Sequence, residues 1–223
     1  MAAGPPFAVR DARAGHADVI RLLDAALPTE RRSVDAIAVC AAGLVSLGDV
    51  GEIRDAIAAQ WPAASVVIAS DAIGGIAAVW GRAGGAVVAA GTGAIGFATD
   101  FAEMWVRSDG WGDTFGDDGG AAWIGRHGMA AALRAIDDRP GASVVLLESL
   151  RASGRDPFAL PEEVRGSPNR ASLLASFAPA VTEAATSDEV ARSIVEAAAE
   201  HLAETGLSLV RRTRVERLAL VGG

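Results

Sequence analysis

Apolar residues fall along this chain in two rhythms, one with the period of a helix and one in short unbroken runs. From Asp18 to Leu27, Val19, Leu22, Leu23 and Ala26 recur at helical spacing, and Pro28 ends the pattern. A run from Val34 to Ala42 follows, of the kind expected for a strand buried on both faces. Val50, Ile53, Ile57 and Trp61 then line one side of a helix predicted over Asp49 to Gln60. Ser65 to Ala69 reads as a second buried strand, leading through Ser70-Asp71 into an apolar helix, Ala72 to Trp80. Strand and helix alternating at this spacing imply parallel pairing in an α/β layer.

The character changes at Gly81-Arg82-Ala83-Gly84-Gly85, a turn rich in residues that tolerate positive φ, and the boundary between two units is placed there, 1–83 and 84–223. Ala86 to Ala90, Ala94 to Thr99 and Met104 to Ser108 are short strand-like runs whose tight connections predict an antiparallel meander. The remainder reads as mainly helical: Gly119 to Ile136, Ser143 to Ala152, Ala171 to Ala185 with a break at Pro179, and Asp188 to Arg211 with Ser187 offered as its cap. Asp156 to Asn169 carries Pro157, Pro161 and Pro168 and is expected to be an irregular surface connection. Leu218 to Val221 reads as a last buried strand before Gly222-Gly223.

Charge narrows the partners. The net charge is −8, and no long arginine-rich run is present, which argues against nucleic acid. All 20 basic residues are arginine, so a Walker A loop with its lysine is excluded. Cys40 is the single cysteine, which rules out an intrachain disulfide and a cysteine-ligated cluster; it reads as a small buried hydrophobe in a reducing cell. Neither a signal peptide nor an apolar run of about 18 residues is apparent, so a cytoplasmic protein with no membrane span is expected.

Three segments carry candidate chemistry. Asp71 follows a buried strand and precedes a helix, at the strand end where ligands of open α/β sheets gather; a plain helix N-cap is the simpler use of the same residue. Gly91-Thr92-Gly93 joins two short strands, where absent β-carbons let successive backbone amides approach an anion, although an ordinary hairpin turn uses the same residues. Asp109 to Gly120 packs Asp109, Asp113, Asp117 and Asp118 among glycines with Trp111 and Phe115. Carboxylates accepting hydroxyl hydrogen bonds in a roomy loop suit a polyol; a calcium loop lacks its terminal Glu here, and a solvated loop capped by Asp118 leaves Trp111 unaccounted for.

In order, Ser70-Asp71, Ala90-Gly91-Thr92-Gly93, Gly110-Trp111-Gly112, Gly116-Asp117-Asp118-Gly119 and Trp123-Ile124-Gly125 resemble the N-acetylglucosamine kinases of the BadF/BadG/BcrA/BcrD ATPase family. The resemblance implies an actin-like (ribonuclease H-like) two-lobe α/β fold, with 1–83 the remainder of an N-terminal lobe and 84–223 a C-terminal lobe with a helical insertion. It implies ATP with Mg²⁺ and an amino sugar, N-acetylglucosamine converted to its 6-phosphate. Asp71 would be the general base, and Gly91, Thr92, Gly93, Gly222 and Gly223 would bind nucleotide. Gly110, Trp111 and Asp117 would lie against the sugar.

Departures from the family pattern are local and terminal. Ala94 stands where Gly-Thr-Gly-Ser has its serine, and Gly116-Asp117-Asp118-Gly119-Gly120 replaces Gly-Asp-Glu-Gly-Ser. No asparagine for sugar contact accompanies Gly4-Pro5-Pro6-Phe7. An Asp-Gly-Gly-Gly-Thr phosphate loop has no counterpart, and Leu220-Val221-Gly222-Gly223 resembles the opening of the family's adenosine-binding segment, so a chain shortened at both ends is expected. A sugar-binding relic, a regulator and a radical-enzyme activator are the competing readings; the regulator lacks a basic helix-turn-helix and the activator lacks bridging cysteines. His16, His127 and His201 are scattered and are expected at the surface or satisfied in the core. The apolar stripe of Asp188 to Arg211 suits core packing or a homodimer contact equally.

Overall fold

A computed structural model describes residues 19–21, 23, 34–41, 50–62 and 64–222. Most of the helix expected from Asp18 to Leu27, together with His16, Gly4 to Phe7 and Gly223, lies outside them. The chain divides into two compact units, Met1–Ala78 and Val79–Gly223.

In the first unit, β1 (Ala36–Cys40) and β2 (Ser65–Ala69) pair in parallel, with Ala36 opposite Ser65 and Cys40 opposite Ala69. Between them runs α1 (Val50–Gln60), and α2 (Asp71–Trp80) follows β2. Ile37 and Val39 join Ile53, Ile57, Trp61 and Val19 in one core. Burial on both faces of β1 does not hold: Ala36, Ala38 and Cys40 are exposed on the alternate positions, as is Val67 of β2. The apolar run looked continuous because its outward residues are small, whereas only Ile37 and Val39 carry the bulk that a core requires. Cys40 is therefore a surface thiol at the end of β1, not a buried hydrophobe. Its side chain lies against Gly74 of α2, where an added β-carbon would stand 2.7 Å from that of Cys40. Partial burial, and secondarily the charge of Asp71, push the thiol up from its ordinary range, which keeps it protonated and weakly nucleophilic.

The second unit is built on a sheet of order β5-β4-β3-β6. Strands β3 (Gly85–Ala90), β4 (Ala94–Thr99) and β5 (Trp105–Asp109) form the expected antiparallel meander, and β6 (Leu218–Gly222) lies parallel to β3. Six helices follow the meander: α3 (Ala121–Ile136), α4 (Val144–Ala152), α5 (Leu160–Gly166), α6 (Arg170–Ala175), α7 (Ala178–Ala184) and α8 (Glu189–Thr213). Leu209 of α8 is buried with Ala86 and Ala98 of the sheet. A separate helical core gathers Met129, Leu146, Leu150, Leu174, Phe177, Val181 and Ile194. The stripe of α8 is thus used inside the unit, through Ala191, Ile194, Ala198, Thr205 and Leu209.

Two local expectations are corrected. The proline-bearing connection contains α5, because Pro161 sits at the start of the helix, where its missing N–H costs nothing. Asp188, not Ser187, caps α8: its carboxylate accepts from the Ala191 N–H at 2.7 Å and from the Ser143 hydroxyl at 3.1 Å. Among the described residues no helix is long and apolar enough to cross a membrane.

One contact sets the helical layer. Gly125 of α3 packs directly on the Leu174 carbonyl of α6, and a β-carbon there would overlap that oxygen. Backbone, unlike a side-chain tip, cannot swing aside, so Gly125→Ala is expected to lower unfolding free energy by about 3 kcal/mol. A denaturant titration checks it, and an unchanged midpoint would remove this contact from the account of packing.

Candidate active site

Gly91, Thr92 and Gly93 connect β3 to β4. The Gly91 amide donates to the Gly93 carbonyl at 2.9 Å, which closes the hairpin. Its outward carbonyls are taken by the next helix: Ala121 N–H donates to Gly91 at 2.9 Å and Ala122 N–H to Thr92 at 2.8 Å. These are the first amides of α3, so the hairpin backbone supplies the cap and Asp118 does not. The approach depends on Gly120, where an added β-carbon would stand 2.6 Å from the Gly93 carbonyl carbon. On the other side the hairpin is open: Gly91 and Thr92 are exposed, and a β-carbon at Gly91 would meet nothing within 4 Å. Gly222 of β6 pairs with Ala90, the residue before the hairpin, so two of the expected nucleotide-binding segments adjoin.

The acidic loop is ordered by its own carboxylates. Asp109 turns out of β5 at φ 59° and accepts from Asp117 N–H at 2.8 Å and Asp118 N–H at 2.9 Å. Asp117, also at φ 59°, uses one oxygen to accept from Gly112 N–H at 3.0 Å. Its other oxygen lies against Gly93, where any β-carbon would overlap it. The structure therefore brings together Asp117 and the 91–93 hairpin through a pair of residues that sequence reasoning assigned to separate segments. Burial pushes the Asp117 carboxyl up from its ordinary range; the Gly112 hydrogen bond opposes this, while Asp109, Asp113 and Asp118 reinforce it.

Trp111 projects from the loop 65% exposed, with the Arg107 guanidinium 3.9 Å from its ring centroid. A cation over one face anchors the indole and leaves a broad apolar surface available to a ligand. Gly110 is positioned against Ile95 with φ 75°, where glycine lets the chain turn over β4. Asp113 is held well below the ordinary carboxylate range, chiefly by its hydrogen bonds with Arg170. Sequence reasoning missed both Arg107 and Arg170. Arg107 stands four residues before Trp111, which is the one local signal for it; nothing local marks Arg170.

A second cluster adjoins the start of α3. The Trp123 and His127 rings lie 3.8 Å apart, and His201 approaches Trp123 edge-on at 5.2 Å. His127 Nδ1 donates to the Trp123 carbonyl at 2.8 Å, which places its proton on that nitrogen. Burial pushes the imidazole down from its ordinary range, keeping it neutral. His127 is thus a satisfied packing group, while His201 sits partly exposed with its Nδ1 3.6 Å from Glu204.

In the first unit, Ser70 takes the cap position: its hydroxyl accepts from Ile73 N–H at 3.4 Å and its carbonyl from Gly74 N–H at 3.1 Å. Asp71 is left as the first residue of α2, exposed, with one oxygen accepting from Ala72 N–H at 3.0 Å. A carboxylate at the carboxyl end of a parallel strand, with the capping duty assigned to its neighbour, is free to meet a ligand.

Strands in this order, a glycine hairpin capping the following helix, and a carboxylate at the end of a parallel strand define an α/β protein of the actin-like ATPase class. The chain belongs to the BadF/BadG/BcrA/BcrD ATPase family, whose model matches residues 5–223. Among solved structures, a protein of Chromobacterium violaceum provisionally named an N-acetylglucosamine kinase is similar with a TM-score of 0.78 and 27% identity, over 96% of this chain and 76% of that one. A Porphyromonas gingivalis protein under the same provisional name gives a TM-score of 0.73 at 18% identity, covering 100% of this chain and 87% of its own; at that identity the likeness is one of fold. No curated protein matches the sequence.

Proposed function

We propose that this chain phosphorylates an amino sugar with ATP, and that N-acetylglucosamine, converted to its 6-phosphate, is the substrate. The observation that carries the reading is the contact of Asp117 with Gly93, which sets a carboxylate fit for sugar hydroxyls directly against a hairpin fit for phosphate. Trp111 supplies the exposed aromatic face that sugar C–H groups favour. The name given to the Chromobacterium violaceum protein points the same way.

In this reading Asp71 accepts the proton of the attacking hydroxyl as its oxygen bonds to the γ-phosphorus and the bond to the β-phosphate oxygen breaks, releasing ADP. Gly91, Thr92 and Gly93 receive the phosphates on their open side, with Gly222 beside them, and Gly110, Trp111 and Asp117 hold the sugar. Mg²⁺ would accompany the nucleotide and neutralise charge on its phosphates.

An ADP-coupled assay over a panel of amino sugars, paired with calorimetry of each ligand alone, tests this. Turnover with N-acetylglucosamine is expected; sugar binding without nucleotide binding would select a non-catalytic sugar binder, and binding of neither would overturn the reading.

A further inference from the structure

We infer that Arg170 is a positioning residue for the sugar-binding loop, joining the helical layer to the turn that presents Trp111. The inference rests on the proposed role of that loop. The Arg170 guanidinium grips Asp113 with both arms, Nε to one carboxylate oxygen at 2.6 Å and a terminal nitrogen to the other at 2.8 Å. That terminal nitrogen also donates to the Thr114 hydroxyl at 2.7 Å. A two-point fork fixes orientation as well as distance, which a single ammonium cannot do.

What the fork holds matters. Asp113 and Thr114 form the crest of a turn in which Phe115 N–H and Gly116 N–H both donate to the Gly112 carbonyl, at 3.1 and 2.9 Å. The base of the loop is fixed independently by Asp109 and Asp117. Its crest has no comparable internal clamp among the described contacts, and it carries Phe115, 85% exposed and so contributing little packing. Arg170 stands where it does because Gly125 lets α6 close on α3 at Leu174, and Arg170 is the first residue of α6. The helical layer thereby reaches across to the loop from 57 residues further along the chain.

Arg170→Ala is expected to speed amide exchange through residues 111–116 while leaving 117–120 protected, and to raise the amino-sugar KM by about tenfold with kcat within about twofold, the signature of lost ground-state positioning. Arg170→Lys should restore only part of the affinity, and Asp113→Asn should reproduce Arg170→Ala without adding to it in the double variant. A far-ultraviolet circular dichroism melt monitors folding. Unchanged exchange at 111–116 overturns the inference, as does full rescue by lysine or an equal fall in kcat. If the unaltered protein binds no sugar, the proposed function fails, and the exchange result alone still decides whether Arg170 fixes the loop.

Discussion

Asp71→Asn is expected to lower turnover at least about a hundredfold, because general-base assistance contributes typically 10² to 10⁴ and an amide cannot accept the hydroxyl proton. The substitution separates chemistry from folding. An asparagine oxygen can still accept from Ala72 N–H, as Asp71 does at 3.0 Å, and Ser70 continues to occupy the cap. Sugar and nucleotide affinities should therefore change by less than about fivefold while kcat falls. A single-turnover measurement checks the chemical step directly; a rate close to that of the unaltered protein would remove Asp71 from the mechanism.

Asp117→Ala is the second large effect, with kcat/KM for the sugar reduced about a hundredfold, the scale of losing one charge-assisted hydrogen bond in a partly buried site. It also frees Gly112 N–H and withdraws the group that rests on Gly93, so both sides of the site loosen. Asp117→Asn isolates the charge. The folded carboxyl holds its proton more tightly than an unfolded one, so sugar affinity should decline with acid from a pH above the usual aspartate range, and Asp117→Asn should abolish that dependence. For stability the sign is opposite: the folded chain binds more protons in that window, so this group's contribution falls as pH rises through its folded pKa. Asp117→Asn should accordingly lose sugar affinity at neutral pH without a lower Tm, whereas a lower Tm with affinity intact would mark Asp117 as structural.

The meander, the hairpin and the carboxylate after β2 were legible because each rests on local pattern: period, turn residues and a strand-to-helix junction. The face of β1 was not, since Ala36, Ala38 and Cys40 are apolar whether or not anything covers them. Pro161 reads as a breaker in isolation and as a helix start only once α5 exists. The loop was recognisable as chemically loaded, yet its division of labour was not. Asp109 holds the Asp117 and Asp118 amides, Asp113 meets Arg170, and Asp117 holds the Gly112 amide and rests on Gly93, and these contacts follow from partners that composition cannot specify.

The hydrogen bonds from Ala121 and Ala122 to the hairpin carbonyls have a mechanical consequence. They join an exposed turn to a 16-residue rod about 24 Å long, so the two are expected to move together. If the proposed nucleotide seats at Thr92, a spectroscopic label at the far end of that rod, near Arg134 and Ile136, is expected to register its occupancy at a distance.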